Sequence, residues 1–256
     1  FFMFTYFTDR DGKMQLESLA QSGFDPLSRT CRFMLTEEAH HMFVGETGVG
    51  RTIQATVDAM TAAGITDPYD MNRIRDLGVI DLPTIQKKLN LHYSLSLDLF
   101  GNEVSTNAAN AFNAGIKGRY MEHRLDDDHQ LQRDTYDVKM VRDDQIITEQ
   151  MPALNAINMR LRDDYVKDAS GGLNRWNKIM KRKNVDFEFR LPHEGFNRNI
   201  GVFANVSVDP QGNIISSDSW NSQVADWLPT KADGEFIQSL TVSYTHLTLP
   251  TRCLVW

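Results

Sequence analysis

The chain is poor in cysteine and has no long apolar run, and each absence narrows its class. Cys31 and Cys253 are its two cysteines, too few for a disulfide framework, which fits a reducing cytoplasm. No apolar stretch reaches the roughly 18 residues that suggest a membrane span. The aromatic opening run lacks the basic segment and cleavage site of a secretion signal. Positive charge is in deficit: 27 Lys and Arg stand against 34 Asp and Glu, a net charge of −7. A nucleic-acid binder would carry a basic footprint instead. Internal repeats and low-complexity linkers are missing, as is any Ser/His/Asp or Cys/His grouping suited to nucleophilic catalysis. What is there is a 256-residue chain, 41% hydrophobic and 24% charged, long enough to bury a core in one or two domains.

The most informative stretch is Met34-Leu35-Thr36-Glu37-Glu38-Ala39-His40-His41-Met42-Phe43, which holds two overlapping Glu-x-x-His pairs. On a helix, residues three apart share a face. A carboxylate and an imidazole so placed can grip one metal ion, and this pair is half the signature of di-iron carboxylate bundles. The stripe through Glu38 and His41 runs Cys31, Met34, Glu38, His41, Met42, Gly45, apolar except for the proposed ligands. The stripe Phe33, Glu37, His40, Val44 is less uniform, so Glu38/His41 is the preferred register. Buried charge needs a partner, which leaves a metal and a buried hydrogen-bond network as alternatives.

Upstream, residues 1–8 are almost wholly apolar and end at Asp9. Ser22-Gly23-Phe24-Asp25-Pro26 reads as a helix stop followed by a new start, with Asp25 as N-cap and Pro26 in the first turn. Asp9 and Glu38 both lie fourteen residues from the Gly23-Phe24 turn, about 20 Å along each helix. A helical hairpin over 1–20 and 26–46 therefore sets a carboxylate opposite a carboxylate–histidine pair.

These two runs, residues 1–13 and 33–46, closely resemble the oxygenase subunits of benzoyl-CoA 2,3-epoxidases, and the likeness continues through Asp126-Asp127-Asp128-His129 to about Leu240. The resemblance implies a ferritin-like bundle holding two iron ions. It implies epoxidation of the ring of benzoyl-CoA with O2, using NADPH through a separate flavin/iron–sulfur reductase. Matched residue by residue, the family's second-half ligands fall on Asp9, Glu38 and His41, with Asp11, Glu37 and His40 as supporting neighbours. The first-half ligands belong to upstream helices that this chain does not contain. It begins inside a helix without a starting Met, so it is expected to lack a complete site and to be inactive as written. At the other end, Ser243–Thr251 resembles the translation of a sequencing adapter, and natural sequence is expected to stop near 240–242.

Elsewhere, Gly45–Arg51 suggests a helix end and a turn before a helix over 52–63, because the lysine and the preceding strand of a phosphate loop are missing. A short helix to Leu77 follows Thr66–Asp70. Residues 84–100 alternate like a strand, yet length, Pro83 and the resemblance favour a helix. A helix is expected from Asn107 to Gly115 and on toward Arg124. Asp126 and His129, with Asp98 upstream, could form an Asp-x-x-His site, though three adjacent acids more often make a solvated loop. Residues 136–148 read as an extended pair turning at Asp143-Asp144. A helix through Leu154, Ile157, Leu161 and Tyr165 is expected to stop at Ser170-Gly171-Gly172. The basic cluster Arg175–Lys183 reads as an amphipathic helix in preference to a grip on coenzyme A phosphates. Strands are expected over 185–191, 202–208 and 213–216, with a turn at Asp209-Pro210-Gln211-Gly212, then short helices over 220–227 and 233–240.

Together these give a mainly α fold: a helical di-iron bundle portion over 1–184, a smaller α+β region over 185–241, and a non-native tail over 242–256. The expected function is an oxygenase component acting on benzoyl-CoA in aerobic aromatic degradation. The alternative is a ferritin-like iron-binding bundle without turnover.

Overall fold

The computed structural model describes residues 1–121, 131 and 133–245. It is 59% helix with one small sheet, which bears out the mainly α class. Helices α1 (Phe2–Leu19) and α2 (Asp25–Ala62) form an antiparallel hairpin. The turn between them is braced by the Phe24 N–H, which donates to Ser22 Oγ at 3.1 Å, and Pro26 occupies the first turn of α2. Proline suits that place because its missing N–H would be unpaired there anyway.

Helix α3 (Met71–Asp76) starts at Asp70, whose carboxylate accepts the Arg73 N–H. Helix α4 (Leu82–Asp98) is capped by Asp81, which accepts the Thr84 N–H at 2.8 Å. The alternating residues of this segment are thus helical, as length and Pro83 favoured. Helix α5 (Thr106–Asn113) leads toward a hairpin of β1 (Thr135–Arg142) and β2 (Gln145–Pro152), with Thr135 opposite Pro152. Asp143 and Asp144 both have positive φ, as the tight hairpin turn demands. Helix α6 (Ile157–Lys183) returns along the hairpin of α1 and α2, and α7 (Ser217–Trp227) and α8 (Lys231–Thr245) close the described chain.

The core lies between α1, α2, α4 and α6. Tyr6 and Phe7, Ile53 and Val57, Leu89 and Tyr93, Tyr165 and Trp176 are at most 2% exposed and form one cluster.

Beside the helix expected from Asn107 toward Arg124, which ends at Asn113 with Gly115 at positive φ, three expectations fail. Helix α2 does not stop at Gly45–Arg51, and α6 does not stop at Ser170-Gly171-Gly172; both run on without a break. The glycines there serve contact, not termination. A Cβ on Gly45 would lie 2.5 Å from the Tyr6 backbone nitrogen, and one on Gly172 would lie 2.1 Å from the Tyr6 hydroxyl. Third, residues 185–191, 202–208 and 213–216 form no strand; the one backbone bridge there joins Val208 and Ile214, beside the expected turn at Asp209–Gly212. The extended segment finds side-chain amides instead of a neighbouring strand. Asn177 on α6 accepts the Phe189 N–H at 2.8 Å and donates to its carbonyl at 2.9 Å. Gln86 on α4 does the same for Arg190, at 3.0 and 2.8 Å. Asp126, His129 and Arg124 lie outside the described residues.

Candidate metal centre

The site begins with how closely α1 and α2 approach. Thr5, Tyr6, Gly45 and Gly48 let the two backbones nearly touch, since a Cβ on Gly48 would strike the Phe2 ring at 2.3 Å. Helix α6 fixes the pair from behind. Tyr6 donates its hydroxyl to the Ala169 carbonyl at 2.7 Å, Arg10 pairs with Asp168 at 2.7 Å, and Arg175 grips Glu46 with two nitrogens. The Trp176 indole donates to the Glu46 carbonyl at 3.1 Å. Sequence reading gave Arg175 and Trp176 to an amphipathic helix, as found. It missed their bonds to Glu46, which no local pattern announces.

On the opposite side of this framework the hairpin brings Asp9, Glu38 and His41 together. Each offers one ligand atom, and the three atoms lie within 4.8 Å of one another. Asp9 Oδ2 is 3.8 Å from His41 Nδ1. The Asp9 side chain is 17% exposed and that of His41 49%, so the cluster opens outward at the histidine. Glu37 and His40 are exposed and lie outside this group of three. The structure thus groups the three residues of the preferred register and leaves the other pair apart.

The donor set fits a metal ion. Glu38 Oε2 is buried without a hydrogen-bond partner, an arrangement that costs free energy unless something else satisfies the oxygen. Burial and the Asp9 carboxylate raise the Glu38 pKa, with His41 opposing them; burial also raises Asp9. A cation would reverse this repulsion. Two carboxylates and an imidazole form a hard, mixed set suited to iron and similar ions. Gly12 makes the space: a Cβ there would sit 3.2 Å from Glu38 Oε1.

Behind the cluster, Asp11 is 6% exposed and its Oδ1 has no partner. Burial pushes its carboxyl up to about 7, against a hydrogen bond with Gln15 and the charge of Lys117. Lys117 Nζ donates to Gln15 Oε1 at 3.1 Å, and burial lowers its own pKa. Asp11 was expected as a supporting neighbour. Gln15 and Lys117 were not, because Lys117 comes from beyond α5, roughly a hundred residues away in sequence. Asp98, the suggested partner of Asp126 and His129, is instead engaged by Arg198 at 2.5 Å.

Comparison with known proteins decides the relationship. No family model matches the chain. Over 240 residues, 94% of the chain, it is 54% identical to benzoyl-CoA oxygenase component B of Aromatoleum evansii. Over that span the chain is closely similar to this oxygenase component. It spans about half the length of this curated relative, 50%. No helix among the described residues is long and apolar enough to cross a membrane.

Proposed function

We propose that Asp9, Glu38 and His41 supply half the ligands of a two-iron centre in a ferritin-like oxygenase component that epoxidises the ring of benzoyl-CoA. The observation that carries this reading is the meeting of three donors within 4.8 Å around a buried, unpartnered Glu38 oxygen. The oxygenase name of the relative agrees with it. When bound, iron would supply the activation of O2, with electrons from NADPH through a flavin/iron–sulfur reductase in the cytoplasm. The chain's own residues bind and orient. Asp9 and Glu38 would balance the cationic charge, and His41 would offer an imidazole nitrogen at the open edge. Asp11, through its contact with Gln15, holds the ground behind Glu38.

The test is iron per chain after anaerobic ferrous loading, on this chain and on a version extended to the relative's full length. Each is paired with Glu38→Ala/His41→Ala. Two irons in the extended protein, lost in the double variant, are the expected result. Iron that survives the substitutions would end the assignment. Benzoyl-CoA-dependent O2 uptake by the extended protein separates an oxygenase from an iron-storing bundle.

A further inference from the structure

The chain carries a net charge of −7, yet one ridge of it is positive. On α6, Arg175, Lys178 and Arg182 follow helical spacing and are exposed. Exposed Arg51 on α2 faces Arg175 and Arg182 across an open groove floored by Gln54 and Ile179. Arg175 donates to Glu46 at 2.6 Å, and Lys183 at the end of the ridge pairs with Asp58 at 2.8 Å. Among the described residues, Arg51, Lys178 and Arg182 have no carboxylate partner. Part of this charge has a local reason. Lys181, Arg182 and Lys183 stand in the last turn of α6, where cations offset the helix dipole. Arg175 and Lys178 come before that turn and Arg51 belongs to another helix, so the dipole does not account for them.

We infer that this ridge docks an acidic electron-donor protein. The inference rests on the reading above that electrons arrive from a separate reductase. Charge complementarity selects the occupant: three unmatched cations on an acidic molecule steer an acidic surface to this face and turn away others. The spread of the charges favours a protein over a small anion. Arg175 and Arg182 stand seven residues apart, about 10 Å along the helix, and the Trp176 indole beside the groove already donates to the Glu46 carbonyl. The ridge also lies on the α6 side of the α1–α2 hairpin, while Asp9, Glu38 and His41 open on the other. A segment that completes the donor set therefore leaves it free. A short run of contacts joins the two sides. Arg175 holds Glu46, Glu46 Oε2 lies 4.0 Å from Arg10 Nη2, and Arg10 directly follows Asp9. One electron at a time would pass from the partner's reduced flavin or iron–sulfur group to a metal held by Asp9, Glu38 and His41. The partner is oxidised, the metal is reduced, and no bond is made or broken.

The experiment measures association of the NADPH-dependent reductase with the protein extended to the relative's full length, at low and high salt, together with carbodiimide cross-linking of carboxylates to lysines. The expected result is a cross-link at Lys178 and a Kd raised at least tenfold by Lys178→Glu/Arg182→Glu. Arg51→Glu, on a different helix, should weaken association in the same direction. Reduction of bound ferric iron by NADPH should slow in both variants and recover with excess reductase. Arg73→Glu/Lys231→Glu makes the same change in net charge at exposed cations elsewhere and should leave association unaltered. Unchanged helical circular dichroism checks that each variant folds. Three outcomes overturn the inference: association indifferent to the ridge substitutions, equal weakening by the control pair, and a cross-link confined to other lysines. Tight binding of inorganic tripolyphosphate that Lys178→Glu/Arg182→Glu abolishes, with reductase association intact, would make the ridge a small-anion site instead. Charge-dependent docking on an extended protein that takes up no iron would keep the surface and remove the oxygenase reading.

Discussion

Gly172 and Gly45 show how much one methyl group matters here. Both face Tyr6, one at its hydroxyl and the other at its backbone. Overpacking a tight contact costs about 1–3 kcal/mol, and more where backbone must move. Gly45→Ala should therefore destabilise by at least about 3 kcal/mol, measured by urea unfolding. Gly172→Ala should cost about 2 kcal/mol and be partly relieved by Tyr6→Phe, which removes the oxygen in the way. Tyr6→Phe alone forfeits its bond to Ala169, so the cycle has a sign: the double variant must be more stable than the two single losses added. Simple additivity would show that α6 shifts away instead. Gly12 makes a different case, because its neighbour at 3.2 Å is the mobile end of Glu38. Gly12→Ala should leave stability within about 1 kcal/mol yet weaken Co(II) binding roughly tenfold or more. Unchanged metal affinity would mean that the Glu38 carboxylate does not need this position.

At the scale of elements, the hairpin of α1 and α2 was legible because its signals are local. Apolar spacing, the Ser22–Pro26 stop and start, and equal distances from the turn all sit in neighbouring residues. Helix α4 was legible through its length, Pro83 and the resemblance; its Asp81 cap was not read from sequence. Helices α2 and α6 were read as broken because glycine looks identical in sequence whether it ends a helix or admits a neighbour. The strands expected after 185 were read from alternation, which cannot tell a partner strand from the amides of Asn177 and Gln86. The docking of α8 was equally invisible. It depends on Asp233, 3% exposed, which pairs with Arg75 at 2.5 Å and lies 3.8 Å from Lys87. Arg75 also holds Asp81, the cap of α4, at 2.6 Å. Burial would raise the Asp233 pKa, but the Thr230 N–H and hydroxyl, Arg75 and Lys87 outweigh it and hold the group at about 2. A depressed carboxylate contributes stability above its unfolded value of 3.8, and that contribution is lost as pH falls toward about 2. The contribution is about 2 kcal/mol. Asp233→Asn should flatten that part of the acid unfolding curve between pH 4 and 2. An unaltered curve would transfer the acid sensitivity to other carboxylates.

For the whole molecule, the decisive tie is a buried charge network joining three distant segments. Arg162 on α6 is 1% exposed and donates to Glu103 at 2.7 Å and to the Gly101 carbonyl at 2.6 Å. Glu103 also accepts the Val202 N–H at 2.8 Å, and Asp98 accepts the Asn199 N–H at 2.9 Å. Arg198, 5% exposed, pairs with Asp98 and lies 3.7 Å from Glu103. The loop after α4, the N-terminal part of α6 and the segment 198–202 are thus fastened at one point. Burying such charges is costly, and removing one partner leaves the other unpaired, at about 3–5 kcal/mol. Arg162→Met should therefore cost about that much. Arg162→Met/Glu103→Gln should cost less than the two single changes together, because no strong charge is then stranded beside α6. Co(II) affinity at Asp9, Glu38 and His41 should stay within about threefold, since these donors are held by the Tyr6, Arg10 and Glu46 contacts. Equal and additive losses, or a metal site that fails with the network, would show that the two ends of α6 are coupled more tightly than their separate contacts require.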